Sequence, residues 1–316
     1  MQKQISAFIQ SEEPLVRLKA GLLAGEPFPP DALAQVKDSP LVSTLLSERG
    51  ADGRIPYHPY GKWYGAHWIL AVLSELDYPA GDERLIPLRD QQLEWLLSNE
   101  HLSSVRVLNG RPRRCASQEG YALYAQIKLG IADDRIEKLA RGLIGWQWPD
   151  GGWNCDKNPE ASHSSFHESW MPLRALTLYA QTTGDSTAQS AAERAAEFFL
   201  SHRLFGRVSN GNIIKSQFTI LHYPWYWHYD ILAGLKAMME SGLLSDPRCQ
   251  EALDLLASKQ LSDGGFPLQS SYCPKKNSPR RLTGTSLVQF GPVSRRQSNP
   301  YVTLEALEIL GRTGRI

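Results

Sequence analysis

The sequence predicts an all-α protein built from helical hairpins. Apolar residues recur at i, i+3 and i+4 along most of the chain, Asp-Gly and Asn-Gly turns separate the helical stretches, and no run alternates with strand period. Two kinds of helix are expected. Amphipathic ones lie at Glu83–Ser98, Gln189–His202 and Pro247–Lys259. More apolar and aromatic ones lie at Gly65–Leu76, Gly120–Leu129, Trp170–Tyr179, Ile231–Met239 and Val302–Leu310. A helix that is apolar nearly all round is normally buried. The expected architecture is therefore one domain over residues 1–316, an (α/α) toroid of five or six hairpins with inner apolar helices ringed by outer amphipathic ones. The helical N-terminal segment, residues 1–30 with Ile5–Leu23 at its heart, packs on the ring or completes it.

The turns give the repeat its grammar. Asp52-Gly53, Asn109-Gly110, Asp150-Gly151-Gly152, Asn210-Gly211 and Asp263-Gly264-Gly265 each stand between a polar helix and an apolar one. Their spacing is irregular, as expected for hairpin repeats carrying insertions of variable length. The insertions fall at Asn154–Ser164, Asn212–Tyr223 and Pro267–Asn299, and such insertions cluster on one face, often the binding face.

Composition excludes several classes. Lys plus Arg number 34 against 33 Asp plus Glu, so the formal charge is +1, which gives no footprint for nucleic acid and no polybasic membrane anchor. No stretch is apolar enough for a membrane span, and the first residues lack the apolar core of a secretory signal. The four cysteines (Cys115, Cys155, Cys249, Cys273) form no C-x-x-C pair, so reduced thiols and a cytoplasmic location are expected, with peripheral membrane contact left open. The 9 Trp and 12 Tyr beside 25 Gly suggest aromatic packing around repeated short connections.

Two turns are more specific than the rest. Gln147-Trp-Pro-Asp-Gly-Gly-Trp153 and Gln260-Leu-Ser-Asp-Gly-Gly-Phe266 each follow an outer helix. Their glycines permit a tight backbone, the Asp accepts turn amides, and the aromatic plugs the space between hairpins. These turns resemble the repeat of triterpene cyclases and protein prenyltransferases (the squalene cyclase-like superfamily), over about residues 31–311. The resemblance implies an α/α toroid acting on an isoprenoid-like apolar substrate. The cyclases' D-x-D-D acid motif has only Ile131-Ala-Asp-Asp134 as its nearest string, and the prenyltransferases' zinc-binding D-x-C is replaced by Cys155-Asp156.

Candidate chemistry concentrates in two stretches, Trp153–Trp170 and Leu221–Asp230. Asp156, His167, Glu168, His228 and Asp230 are the candidate catalytic groups, as acids, bases or their partners. Ser165-Phe-His-Glu168 also reads as a capping box, which would make Glu168 structural. Cys155, His163 and His222, joined by His167 and His228, form a candidate zinc set. Trp63, Trp68, Trp153, Trp170, Tyr226 and Trp227 are candidate substrate-binding aromatics, able to pack an apolar chain or face a carbocation. Glu119, Glu168 and Asp230 open three inner helices, where a carboxylate either complements the helix dipole or converges on the cavity mouth. Glu119 is grouped with the substrate-binding residues. Arg106, Arg111, Arg113 and Arg114, like Lys275-Lys276 and Arg280-Arg281, suit either a solvated loop or a diphosphate. Two other functions fit the same scaffold: a carbohydrate-active hydrolase or lyase, and a non-catalytic lipid-binding or scaffold protein.

Overall fold

The computed structural model describes residues 2–27, 29–272 and 284–316, and among these residues the chain forms fourteen α-helices. The N-terminal segment splits into α1 (Gln2–Ile9) and α2 (Pro14–Leu23). Pro14 makes the break, since proline opens a helix readily but has no N–H to continue one. Short helices α3 (Ala32–Val36) and α4 (Pro40–Leu45) lead to α5 (Ala66–Glu75), whose residues are all buried. After α6 (Ile86–Leu96) and α7 (Asn99–Ser103) come two strands, β1 (Arg106–Leu108) and β2 (Arg111–Arg113), then α8 (Ser117–Lys128). The remaining helices are α9 (Ile136–Trp146), α10 (Phe166–Thr183), α11 (Ser186–Ser201), α12 (Ile231–Glu240), α13 (Gln250–Ala257) and α14 (Pro300–Arg312). None among the described residues is long and apolar enough to cross a membrane.

The β1–β2 hairpin corrects the expectation of a strand-free chain. Asn109 (φ 49°) and Gly110 (φ 71°) both occupy the left-handed region, the conformation of a two-residue hairpin turn. The basic run is largely this hairpin. Arg113 is buried, with its guanidinium 4.5 Å from the Trp148 ring centre, and the Trp148 indole donates to the Pro112 carbonyl at 2.7 Å. Cys273, Lys275-Lys276 and Arg280-Arg281 lie outside the described residues.

The buried helices touch one another in the order α5, α8, α10, α12, α14, α2, while α6, α9, α11 and α13 pack against α5, α8, α10 and α12 respectively. The approach of α8 to α10 is close. A Cβ on Gly120 would lie 2.7 Å from the Pro172 nitrogen, so the absence of a side chain there lets the two backbones meet.

The two Gly-Gly turns are built alike. Gln147 donates to the Gly151 carbonyl (2.7 Å) and Gln260 to that of Gly264 (3.0 Å). Asp150 accepts from Ser164, and Asp263 from Ser298. The amides of Trp153 and Phe266 donate to Ser169 Oγ (2.9 Å) and Thr303 Oγ1 (2.8 Å), and both aromatic side chains are fully buried plugs. The same hydrogen bonds recur although the second turn reaches its helix across a much longer insertion.

The buried helices carry paired charges. Arg174 of α10 pairs with Glu75 (2.5 Å) and Glu240 (2.6 Å) and donates to the Tyr124 hydroxyl (2.8 Å). Lys236 pairs with Glu305 and Glu308, both at 2.8 Å. Lys19 of α2 reaches Glu305 of α14 and, at 2.9 Å, Asp77 just beyond α5. Two cavities of about 340 and 500 Å³ share Asp77, Lys128 and Glu308 at this end.

Candidate functional site

At the opposite ends of α8 and α10, a thiol pair meets a buried carboxylate. The Gly120–Pro172 contact brings the start of α8 beside the first turn of α10, and the Arg114 amide donates to the Asn154 carbonyl at 3.0 Å, tying the two lead-in segments together. The residues following those two bonded groups are Cys115 and Cys155. Both thiols are free and half-buried. With Glu168 they place their ligand atoms within 4.8 Å of one another.

Glu168 does not complete a capping box. Ser165 starts α10 without a side-chain cap bond, and the Glu168 carboxylate instead crosses to the next helix. Its Oε2 accepts from the Ser117 amide (3.1 Å) and hydroxyl (2.8 Å), while Cys155 Sγ stands 3.4 Å from Oε1. Burial pushes the Glu168 pKa up, opposed by the bonds from Ser117. The neighbouring Cys115, then burial and the charge of Glu168, push the Cys155 thiol up. Burial raises the pKa of the nearby Tyr60 as well.

Glu119, on the same first turn of α8, is 1 % exposed and bonded to Arg114 and to His101. Burial and the Arg114 charge lower His101 to about 4, so the ring is neutral near pH 7 and the ion pair there is Arg114 with Glu119. Burial raises Glu119 against the pull of Arg114.

A continuous aromatic group is also buried in the fold. Trp63 stacks on Tyr226 (centroids 3.9 Å), and Trp68 meets both edge-on, at 4.7 and 5.4 Å. Tyr121 contacts Trp68 and Trp170, and Trp170 contacts Trp225. Several polar atoms in this group are buried without a hydrogen-bond partner: Tyr121 Oη, His67 Nε2, and the indole nitrogens of Trp63 and Trp225. Buried polar atoms are normally paired, and among the described residues these four share the unpaired state with others, Trp227 Nε1, Gln126 Oε1 and Glu119 Oε2 among them.

The other sequence-predicted residues are placed apart from the thiols. Asp156 is exposed and accepts from the Asn158 amide of its own loop (2.9 Å). His163 is exposed. Asp230 is fully buried as the cap of α12, accepting from the Ala233 amide (2.9 Å) and the His222 amide (2.8 Å). His222 packs on Tyr272 and points Nδ1 at Asp230 (3.2 Å). His167 accepts the Tyr229 amide at 3.0 Å, and burial lowers its pKa to about 4. His228 stacks on Trp227 (3.9 Å), and burial lowers its pKa to about 3. Trp153 is committed to its turn, its indole donating to the Leu143 carbonyl at 2.8 Å.

Of the proposed zinc set, then, Cys155 stands in a cluster, with Cys115 and Glu168 beside it in place of His163 and His222. Cys115 is the residue that sequence reasoning missed. No local signal marked it, because its place beside Cys155 depends on the close approach of α8 and α10. No family model, no curated protein and no solved structure matches the chain.

Proposed function

We propose that the chain closes as an (α/α)₆ toroid and binds an apolar, isoprenoid-like molecule bearing an oxygen acceptor among the aromatics of the ring interior. The order of contacts α5, α8, α10, α12, α14, α2 supports closure, since Lys19 links α2 both to α14 and to the end of α5. The N-terminal segment then supplies the sixth inner helix.

The observation that carries the ligand class is the aromatic group with unspent donors. Trp63, Trp68, Tyr121, Trp170, Trp225 and Tyr226 offer flat apolar faces, while the Tyr121 hydroxyl and the Trp63 and Trp225 indoles hold N–H or O–H groups with no acceptor. A hydrocarbon chain satisfies the faces; a hydroxyl, carbonyl or phosphate oxygen satisfies the donors. The Glu168 and Glu119 carboxyls and the thiols stand at the mouth, where a chemical step on the oxygenated end would occur. In this reading the protein is an enzyme related in architecture to terpenoid cyclases and prenyltransferases, working in the cytoplasm without nucleic acid.

Organic extraction of the purified protein followed by mass spectrometry tests this. The expected result is an apolar, oxygen-bearing molecule in stoichiometric amount, or its specific uptake when isoprenoid alcohols and diphosphates are supplied. Binding of oligosaccharides instead, with no isoprenoid uptake, would transfer the reading to carbohydrate chemistry. Uptake with no conversion under any added metal would make the protein a carrier.

A further inference from the structure

We infer that Cys115, Cys155 and Glu168 hold one zinc ion. The inference stands independently of which molecule the ring interior binds.

The chain contains its own control for this position. The turn at Gln147–Trp153 and the turn at Gln260–Phe266 make the same bonds to Ser164 and Ser298, and to Ser169 and Thr303. That equivalence pairs the residue two beyond each plug, Cys155 with Leu268, and the residue one before each helix hydroxyl, Glu168 with Val302. Leu268 is 1 % exposed and Val302 fully buried. The motif thus closes around two ordinary apolar side chains in one copy. In the other, the same positions carry a thiol and a carboxylate, and the adjoining helix adds a second thiol. Turn and packing account for Leu268 and Val302 but not for Cys155 and Glu168.

The set is chemically coherent. Two thiolates are soft ligands that favour zinc over magnesium or calcium, and one carboxylate oxygen completes a three-residue site. Only small adjustments bring ligand atoms within 4.8 Å of one another onto one tetrahedral ion. The two bonds from Ser117 to Oε2 orient the carboxylate so that Oε1, the oxygen beside Cys155, is the one presented. Half-buried thiols leave a path for the ion. Three protein ligands leave the fourth position to water or to a thiol, hydroxyl or phosphate oxygen from outside, as in catalytic rather than structural zinc sites. Binding displaces the two thiol protons to solvent, matching the two charges of the entering ion, while Glu168 binds as its carboxylate.

The full-length chain, treated with chelator and titrated with Zn(II) and separately with Co(II), tests the site. One equivalent should bind, and the cobalt form should show thiolate-to-metal charge-transfer absorption. Cys115→Ser and Cys155→Ser should each weaken binding at least tenfold and reduce that absorption, and Glu168→Gln should weaken binding while preserving it. Cys249→Ser and His163→Ala should change nothing. Alkylation mapped by mass spectrometry supplies a test free of variants: Zn(II) should protect Cys115 and Cys155 in the native protein. Absence of stoichiometric binding, unchanged binding in the Cys115→Ser/Cys155→Ser variant, or equal labelling with and without zinc overturns the inference. A zinc-loaded protein that takes up no isoprenoid would leave this site standing and remove the ligand reading alone.

Discussion

Replacing Arg174 with Met removes a charge on which four buried helices converge. The guanidinium side chain is 1 % exposed and joins α10 to Glu75 at the end of α5, Tyr124 of α8 and Glu240 of α12. Methionine fills most of the stem volume, so the loss is electrostatic rather than a cavity. Glu75, 3 % exposed, is left without its cation, and breaking a buried pair in this way costs about 3–5 kcal/mol. With an unfolding entropy of roughly 2.1 cal/mol/K per residue over the chain, that is a fall of about 5–8 °C in melting temperature at pH 7. Burial already holds Glu75 above the ordinary carboxylate pKa of 4.5, and removing Arg174 raises it further. A carboxyl raised in the fold favours the folded state when protonated, and its penalty grows as pH rises from the unfolded to the folded pKa. The deficit of Arg174→Met should therefore shrink as pH falls toward 4.5, and Glu75→Gln in the same background should recover part of it at pH 7. Thermal melts of the parent protein, Arg174→Met, Glu75→Gln and the double variant across pH measure this. A loss below about 1 kcal/mol, or one that neither acid nor Glu75→Gln relieves, would refute the reasoning.

Gly152→Ala should destabilise by about 1–3 kcal/mol, because its Cβ would fall 2.5 Å from Ser169 Oγ, whereas Gly145→Ala, with nothing near its Cβ inside α9, should gain about 0.4–1 kcal/mol. Denaturant melts of the two variants separate a crowded glycine from an idle one. Trp153→Ala and Phe266→Ala should each cost about 3–5 kcal/mol, since both plugs are fully buried; a loss under about 1 kcal/mol in either would detach that turn from the core. His67, His101, His167 and His228 are held neutral, at about 3, 4, 4 and 3 against the ordinary 6.5, each chiefly by burial. The unfolded chain takes up their protons first, so stability is present above pH 6.5 and lost as pH falls from there toward 4. A melting temperature that stays flat between pH 7 and 4.5 would contradict this.

Helix content was legible because packing and periodicity agree: the near-continuous apolar runs became α5, α8, α10, α12 and α14. The β1–β2 hairpin was not, since its strands are three residues each and lack alternation; Asn109-Gly110 was its one local sign. Glu168 carried two local meanings, and the capping box lost to a tertiary partner, Ser117 on another helix, which no local rule names. Cys155 and Glu168 were legible by residue type. Cys115 was not, because its role depends on the close approach of α8 and α10, which Gly120 and Pro172 allow. The paired charges of the buried helices were likewise invisible as a network, although Glu75, Lys128, Glu240 and Glu308 all interrupt apolar runs at the same end.

The central claim is that the aromatic interior receives an apolar molecule through its flat faces and its unspent donors. Titrating the native protein with farnesol while following tryptophan fluorescence tests it most directly, with Tyr121→Phe alongside. Saturable one-to-one binding is expected, weakened about fivefold by Tyr121→Phe through loss of one hydrogen bond worth about 1 kcal/mol, with the melting temperature of the free variant unchanged. Non-saturable quenching, or identical binding by both proteins, would contradict it.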